Sequence, residues 1–238
     1  MMTTSRTVPK DEVATAVDHR ARPHGEGRRA QIIAAALEIM ATEGLYQTTT
    51  RKIAAAAGVN VATLHYHFHD KEEIITCVMQ ELIDKYRSRL SSCFSAPQSL
   101  HDRIAELLQF ISREIESAPG EQLLLQEMTI YMLRTPHAAQ LARDKDRDFL
   151  RLYVDTLGSA TDLSEGDRPF IVALADFVYT GVIGVFNQWL ATQDRQCLEA
   201  ALRNLISAAQ HAADARAWPG LPYDGVLEAG PAADIRAA

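Results

Sequence analysis

From about residue 28 to residue 217, apolar residues recur at helical spacing, and no stretch alternates with period two over the length of a strand. The pattern predicts an all-α chain of about nine helices. The first, residues 28–42, carries Ile33, Ala36, Leu37 and Met40 on one face and ends at Gly44. A short second helix follows, with Thr50 suited to cap it and Ile53, Ala54 and Ala57 facing inward. Gly58 turns the chain and Val59 plugs the corner. Asn60 then caps a third helix over residues 61–68. Asp70 caps the fourth, residues 71–92, whose first turn holds Glu72 and Glu73 as the helix dipole prefers. Its stripe of Ile74, Ile75, Val78, Met79, Leu82, Ile83, Tyr86 and Leu90 is long enough to connect two parts of the molecule.

Beyond Pro97 the same code continues. A fifth helix from about Leu100 points Ile104, Leu107, Leu108, Ile111 and Ile115 inward and stops at Pro119-Gly120. Residues 121–134 form a sixth helix, apolar on most sides, and residues 136–158 a seventh. The eighth begins near Ser164 with Pro169 in its first turn. Its apolar run over residues 170–190 is long enough to cross a bilayer. Asp176, Thr180, Asn187 and Gln188 interrupt that run, so burial against the chain's own core on one side and a partner helix on the other is the better account. Gly181 and Gly184 leave room for such a helix. The ninth, residues 195–217, has Leu198, Leu202, Leu205, Ile206 and Ala209 on one stripe. Residues 1–27 read as a flexible arm and residues 218–238 as a flexible tail. The arm's Arg6, Lys10, Arg20 and Arg22, with Arg28 and Arg29 after it, are cations that can approach phosphates.

Charge changes the picture when it is divided. The chain nets −7 over 238 residues, which argues against a polyanionic partner. Residues 1–71, however, hold 9 Lys and Arg against 7 Asp and Glu, a net of +2, and the remainder nets −9. Local field decides whether phosphates approach. Cys77, Cys93 and Cys197 are widely spaced and without a CxxC pair, as expected for reduced thiols in the cytoplasm. The first residues lack the apolar core of a signal peptide. His65, His67 and His69 alternate, and residues two apart on a helix point about 200° apart, so no metal site is expected from them. No Gly-rich phosphate loop, GxSxG, HExxH or CxxC motif supports an enzyme, and no cofactor is called for.

Helix, glycine turn and helix in residues 50–68 is the pattern of a helix-turn-helix DNA reader. Gly44, Thr48 to Thr50, Ile53-Ala54, Ala57-Gly58-Val59-Asn60, Leu64-His65-Tyr66-His67-Phe68 and Lys71 fall in the order and spacing of one family, and the stretch from Arg28 to about Ile75 resembles the DNA-binding domain of TetR/AcrR-family bacterial transcriptional regulators. It departs from that pattern at His65, where Tyr is usual, and at Asn60, where Ser is commoner. The resemblance implies a DNA-binding domain over residues 28–73 and a helical ligand-binding and dimerisation domain over residues 74–217. It implies a homodimer joined through helices 8 and 9, a palindromic operator in double-stranded DNA, and repression relieved by a small molecule. Activation by the same architecture, or a protein that keeps the helix-turn-helix as scaffold only, are the alternatives.

Side-chain chemistry gives the candidate contacts. On the reader helix Leu64 and Phe68 point inward, while Ala62 and Tyr66 point outward with Thr63 and His65 beside them. Val61 and Ala62 offer only apolar contact to a thymine methyl. Thr63, Tyr66 and His67 suit phosphate oxygens, and His65 can hydrogen-bond a phosphate as well. Arg51 opens helix 2 and is the candidate for guanine. With Thr50 and Lys71 these complete the expected DNA-binding set. For the ligand, the expected lining is Glu127, Met128, Tyr131, Phe149, Tyr153, Asp176, Phe177, Phe186 and Trp189, aromatic and flexible residues with polar ones between them. The Leu123–Met128 run resembles the choline-regulator branch of the family.

Overall fold

The computed structural model describes residues 21–94, 96–135 and 138–216. Within them the chain forms nine α-helices and no strand: α1 (Ala21–Glu43), α2 (Thr50–Ala56), α3 (Val61–His67), α4 (Lys71–Cys93), α5 (Leu100–Ser117), α6 (Pro119–Arg134), α7 (Ala139–Gly158), α8 (Arg168–Thr192) and α9 (Arg195–Ala215). A short 3-10 turn, Glu165–Asp167, leads into α8. Arg6, Lys10 and Arg20 of the expected arm, the side chain of Arg22, residue 136 and residues 217–238 lie outside the described residues.

Several boundaries differ from the expectation for local reasons. α1 starts at Ala21, well before Arg28, and it buries Ile32, Ala35, Ala36, Leu37 and Met40. Ile33 sits half-buried on the flank of that stripe. The cap of α2 is Thr49, not Thr50: its hydroxyl accepts the Lys52 N–H at 3.3 Å, and its φ of −114° and ψ of 159° are the extended backbone a cap needs. α6 opens at Pro119, two residues earlier than expected, because proline loses nothing in a first turn.

α1 to α4 pack on one another around Ile32, Met40, Leu45, Ile53, Leu64 and Phe68, all fully buried. α4 continues past them into a second group, in which α5 lies against α9, and α8 packs between α7 and α9. Gly181 is used inside the chain: a Cβ there would come within 2.7 Å of Leu205 on α9, so the glycine seats α9 against α8. Gly184 faces open space. α8 is the one described helix long and apolar enough to cross a bilayer by composition, and 44% of its most apolar window is buried within the chain.

Candidate nucleic-acid interface and internal cavity

The reader is fixed by caps close to it in sequence. Asn60 Oδ1 accepts the Thr63 N–H at 2.7 Å and Asp70 Oδ1 accepts the Glu73 N–H at 2.8 Å. Between α2 and α3 the chain turns at Gly58, whose φ of +63° favours glycine. The Val59 N–H returns to Ala54 O at 2.9 Å, and Gln31 of α1 reaches across to Ala57 O at 2.8 Å.

On the outer surface Arg51, Ala62, His65 and Tyr66 are exposed, Tyr66 by 86%. Arg51 makes no hydrogen bond or ion pair with the described residues. Its neighbour Lys52 is engaged with Glu43 at 2.5 Å. Thr50, Val61, Thr63 and His67 are half-buried, and Val61 packs against the core rather than standing free at the tip. The rings of Tyr66 and His67 meet edge to face, with centroids 5.2 Å apart. Two cations turn inward. Lys71 donates to Leu45 O at 2.8 Å, and burial pulls its ammonium below the ordinary lysine value. Arg29 lies over the Phe68 ring at 4.8 Å and donates to Cys77 Sγ at 2.9 Å and Glu73 Oε1 at 3.3 Å, binding α1 to α3 and α4. The sequence shows such residues as charges available to phosphate; the fold uses them to hold the reader together.

α6 is the element that meets the reader from the other side. The Leu45 N–H donates to Glu127 Oε2 at 2.7 Å. Tyr131 meets Tyr46 edge to face at 6.4 Å and donates to Glu72 Oε1 at 3.3 Å. At the start of α6, a Cβ on Gly120 would fall 2.4 Å from Ala41 O, so the helix approaches the end of α1 as closely as a backbone allows. Glu127 and Tyr131, expected to line a ligand site, therefore face the reader. Met128 is fully buried in the core.

The opposite side of α6 borders a cavity of about 200 Å³. Gln122, Leu125, Gln126 and Thr129 of α6 face Ile111, Glu114 and Ile115 of α5 and Lys145, Asp146, Phe149 and Tyr153 of α7. α8 adds Tyr179, Val182, Ile183 and Phe186, and α4 adds Tyr86. Phe149, Tyr153 and Phe186 of the expected lining are in these walls; Asp176, Phe177 and Trp189 are not. The rings of Phe149 and Tyr179 stack at 6.4 Å, and Tyr86 meets Phe149 edge to face at 5.4 Å. Burial raises the Tyr86, Tyr153 and Tyr179 hydroxyls far above their usual value. Glu114 is buried, and desolvation lifts its carboxyl above the usual range although Arg89 lies 3.0 Å away. Arg89 also pairs with Glu121 at 3.1 Å, and Lys85 joins the same carboxylate.

Sequence reasoning missed Tyr86, Glu114 and Lys145 as wall residues. Lys145, Phe149 and Tyr153 recur every fourth residue of α7, a signal that one face of that helix carries a cation among rings. Tyr86 and Glu114 sit in stripes that read as ordinary core, and nothing in their spacing sets them apart.

Residues 32–76 match the family model described as bacterial regulatory proteins, tetR family. Among curated proteins, the HTH-type transcriptional regulator BetI of Rhizobium meliloti is 28% identical over 92 residues, 39% of this chain and 45% of that one. The matched part thus spans less than half of that relative. The HTH-type transcriptional repressor KstR2 of Mycobacterium tuberculosis is 23% identical over 57% of this chain and 67% of its own. Solved structures share the fold. The multidrug binding protein EbrR in complex with ethidium aligns with a TM-score of 0.59 at 20% identity, covering 76% of this chain and 97% of its own. A TetR transcription regulator from Haloarcula marismortui aligns with a TM-score of 0.63 at 16% identity, covering 79% and 98%. Residues 32–76, with the glycine turn between α2 and α3, thus match the tetR family of bacterial regulatory proteins, and the described chain as a whole shares the fold of these solved regulators.

Proposed function

We propose that this protein is a cytoplasmic, homodimeric transcriptional repressor that binds a palindromic operator and leaves it when a small molecule fills the cavity bordered by α6. Residues 28–73 form the reader and residues 74–217 the effector and dimer domain in this reading. The observation that carries it is the surface of the helix-turn-helix: the outward side of α3 presents Ala62, His65 and Tyr66 to solvent, and Arg51 stands beside them without a partner among the described residues. A guanidinium so placed suits the O6 and N7 of guanine, and the tyrosine hydroxyl and imidazole suit phosphate oxygens. Thr50, Val61, Thr63 and His67 stand at the edge of that surface, half-buried. Lys71 contributes by holding the turn after α1.

Dimerisation through α8 and α9 is supported by the outer face of α8, where the exposed residues from Thr180 to Thr192 carry no formal charge and Gly184 is open. A two-fold dimer sets two readers about one helical turn apart on DNA, which is what a palindrome requires. α6 links effector to reader, since one side of it borders the cavity and the other holds Leu45 and Tyr46.

The test is selection of bound genomic fragments by the purified protein at near-physiological salt, followed by Arg51→Ala on the enriched site. One palindrome is expected, with a loss of about 1–3 kcal/mol that relaxes one base pair in each half-site. A folded dimer that enriches no sequence refutes the reading. A uniform loss over all sequences makes Arg51 a phosphate contact.

A further inference from the structure

Three side chains in the cavity walls carry formal charge, Glu114, Lys145 and Asp146. Two of them are matched. Glu114 has Arg89 at 3.0 Å as an ion pair, though at an angle that leaves Glu114 Oε2 without a hydrogen bond. Asp146 is exposed and accepts a hydrogen bond from the Tyr179 hydroxyl at 2.9 Å.

Lys145 differs from both. Its ammonium has the Thr129 hydroxyl at 3.1 Å and the face of the Phe149 ring at 5.8 Å, and no carboxylate among the described residues lies within ion-pair distance of it. An ammonium carries three donors, and a desolvated one is costly until a negative group meets it. Burial already pulls its proton affinity down, with Asp146 opposing the shift in part. The same walls carry Ile111, Leu125, Phe149 and Ile183 as apolar side chains, with Gln122 and Gln126 as uncharged polar ones. Glu114, itself a buried carboxylate, makes a second negative charge unwelcome in the same space.

We propose that the cavity takes an amphipathic organic monoanion, its carboxylate seated on the Lys145 ammonium, which the Thr129 hydroxyl orients while itself donating to Leu125 O, and its aliphatic or aromatic body among those apolar side chains. The inference rests on the reading of this cavity as the effector site and names the chemical class that the site selects.

The experiment uses the full-length protein and three probes of equal chain length: octanoate, octan-1-ol and octyltrimethylammonium. Calorimetry gives their affinities, and fluorescence anisotropy follows a labelled operator in parallel. Octanoate is expected to bind about tenfold tighter than either of the others, as a charge-assisted hydrogen bond to a part-buried ammonium provides. Lys145→Met is expected to erase that preference while octan-1-ol still binds, which shows that the cavity survives the change. Lys145→Arg is expected to keep most of the preference. Equal binding of all three, tighter binding of the cation, binding of none, or a preference untouched by Lys145→Met each overturns the proposal. Octanoate that binds through Lys145 and leaves the operator complex unchanged upholds the anion site and refutes the effector reading instead.

Discussion

The reader and the cavity domain are built from the same kind of element and held by different means. α2, α3 and α4 begin at Thr49, Asn60 and Asp70, each of which caps its own helix with a side-chain bond three residues along the chain. α6, α7 and α8, which supply three walls of the cavity, begin with no side-chain cap bond at all. Their positions come from contacts distant in sequence: Arg89 and Lys85 on Glu121, Tyr179 on Asp146, and Lys145 on Thr129. A helix closed by its own caps has its first turn set locally, although a helix as short as α2 or α3 still needs the core for its stability. A helix without them depends on its neighbours for its position, and for α6 those neighbours include both the cavity walls and the turn after α1.

Four outcomes would sharpen or break that contrast. The largest is expected in alkali, on the cavity side. Tyr86, Tyr153 and Tyr179 are held above the ordinary tyrosine value of about 10 by burial, so the native state keeps protons that the unfolded state releases. Stability is therefore retained below pH about 10 and falls as pH rises past it. Part of the phenolate absorbance should appear together with loss of helical circular dichroism; if all of it titrates while the helices persist, these tyrosines are not buried as described. Next comes Phe68→Ala in the reader, where a fully buried ring beneath Arg29 is removed. Urea denaturation should show a loss of about 3–5 kcal/mol. A loss below 1 kcal/mol would mean that the reader core does not depend on this ring.

Gly120→Ala tests the seam between the two regions. The new methyl would sit against Ala41 O, and the shift needed to relieve it should cost about 1–3 kcal/mol. Operator affinity is expected to fall with it, and a variant of unchanged stability and affinity would mean that α6 is not held against α1. The smallest effect is expected of Thr49→Ala, which removes one hydroxyl from the start of α2 and should cost about 1 kcal/mol in thermal unfolding. The same substitution at Thr50 should cost less, and the reverse order would restore Thr50 as the cap.

The same contrast explains what could be read in advance. Asn60 and Asp70 are legible as caps because cap and helix adjoin, and the stripe from Ile74 to Leu90 is legible because a regular helix repeats it. The side of α6 that faces the cavity is not legible. Leu123, Ile130 and Leu133 are apolar yet exposed, so hydrophobicity runs around the helix and marks no inner face. Glu127 reads as a polar anchor for a ligand, and only the fold reveals that its carboxylate receives the backbone of Leu45. Lys71 and Arg29 look like charges for DNA for the same reason: sequence gives the side chain, and its direction depends on residues tens of positions away.

The contact between Gly120 and Ala41 O has a consequence for recombination among relatives. Exchange of the reader at the start of α4 looks like a clean cut, since one continuous helix crosses it. Yet the cut would pair the α1 end of one parent with the α6 start of another. A parent with any side chain at position 120 carries a different spacing between those two backbones. Functional chimeras should therefore be those in which the end of α1 and the first turn of α6 come from the same parent, and a screen of shuffled genes would find these two short segments inherited together.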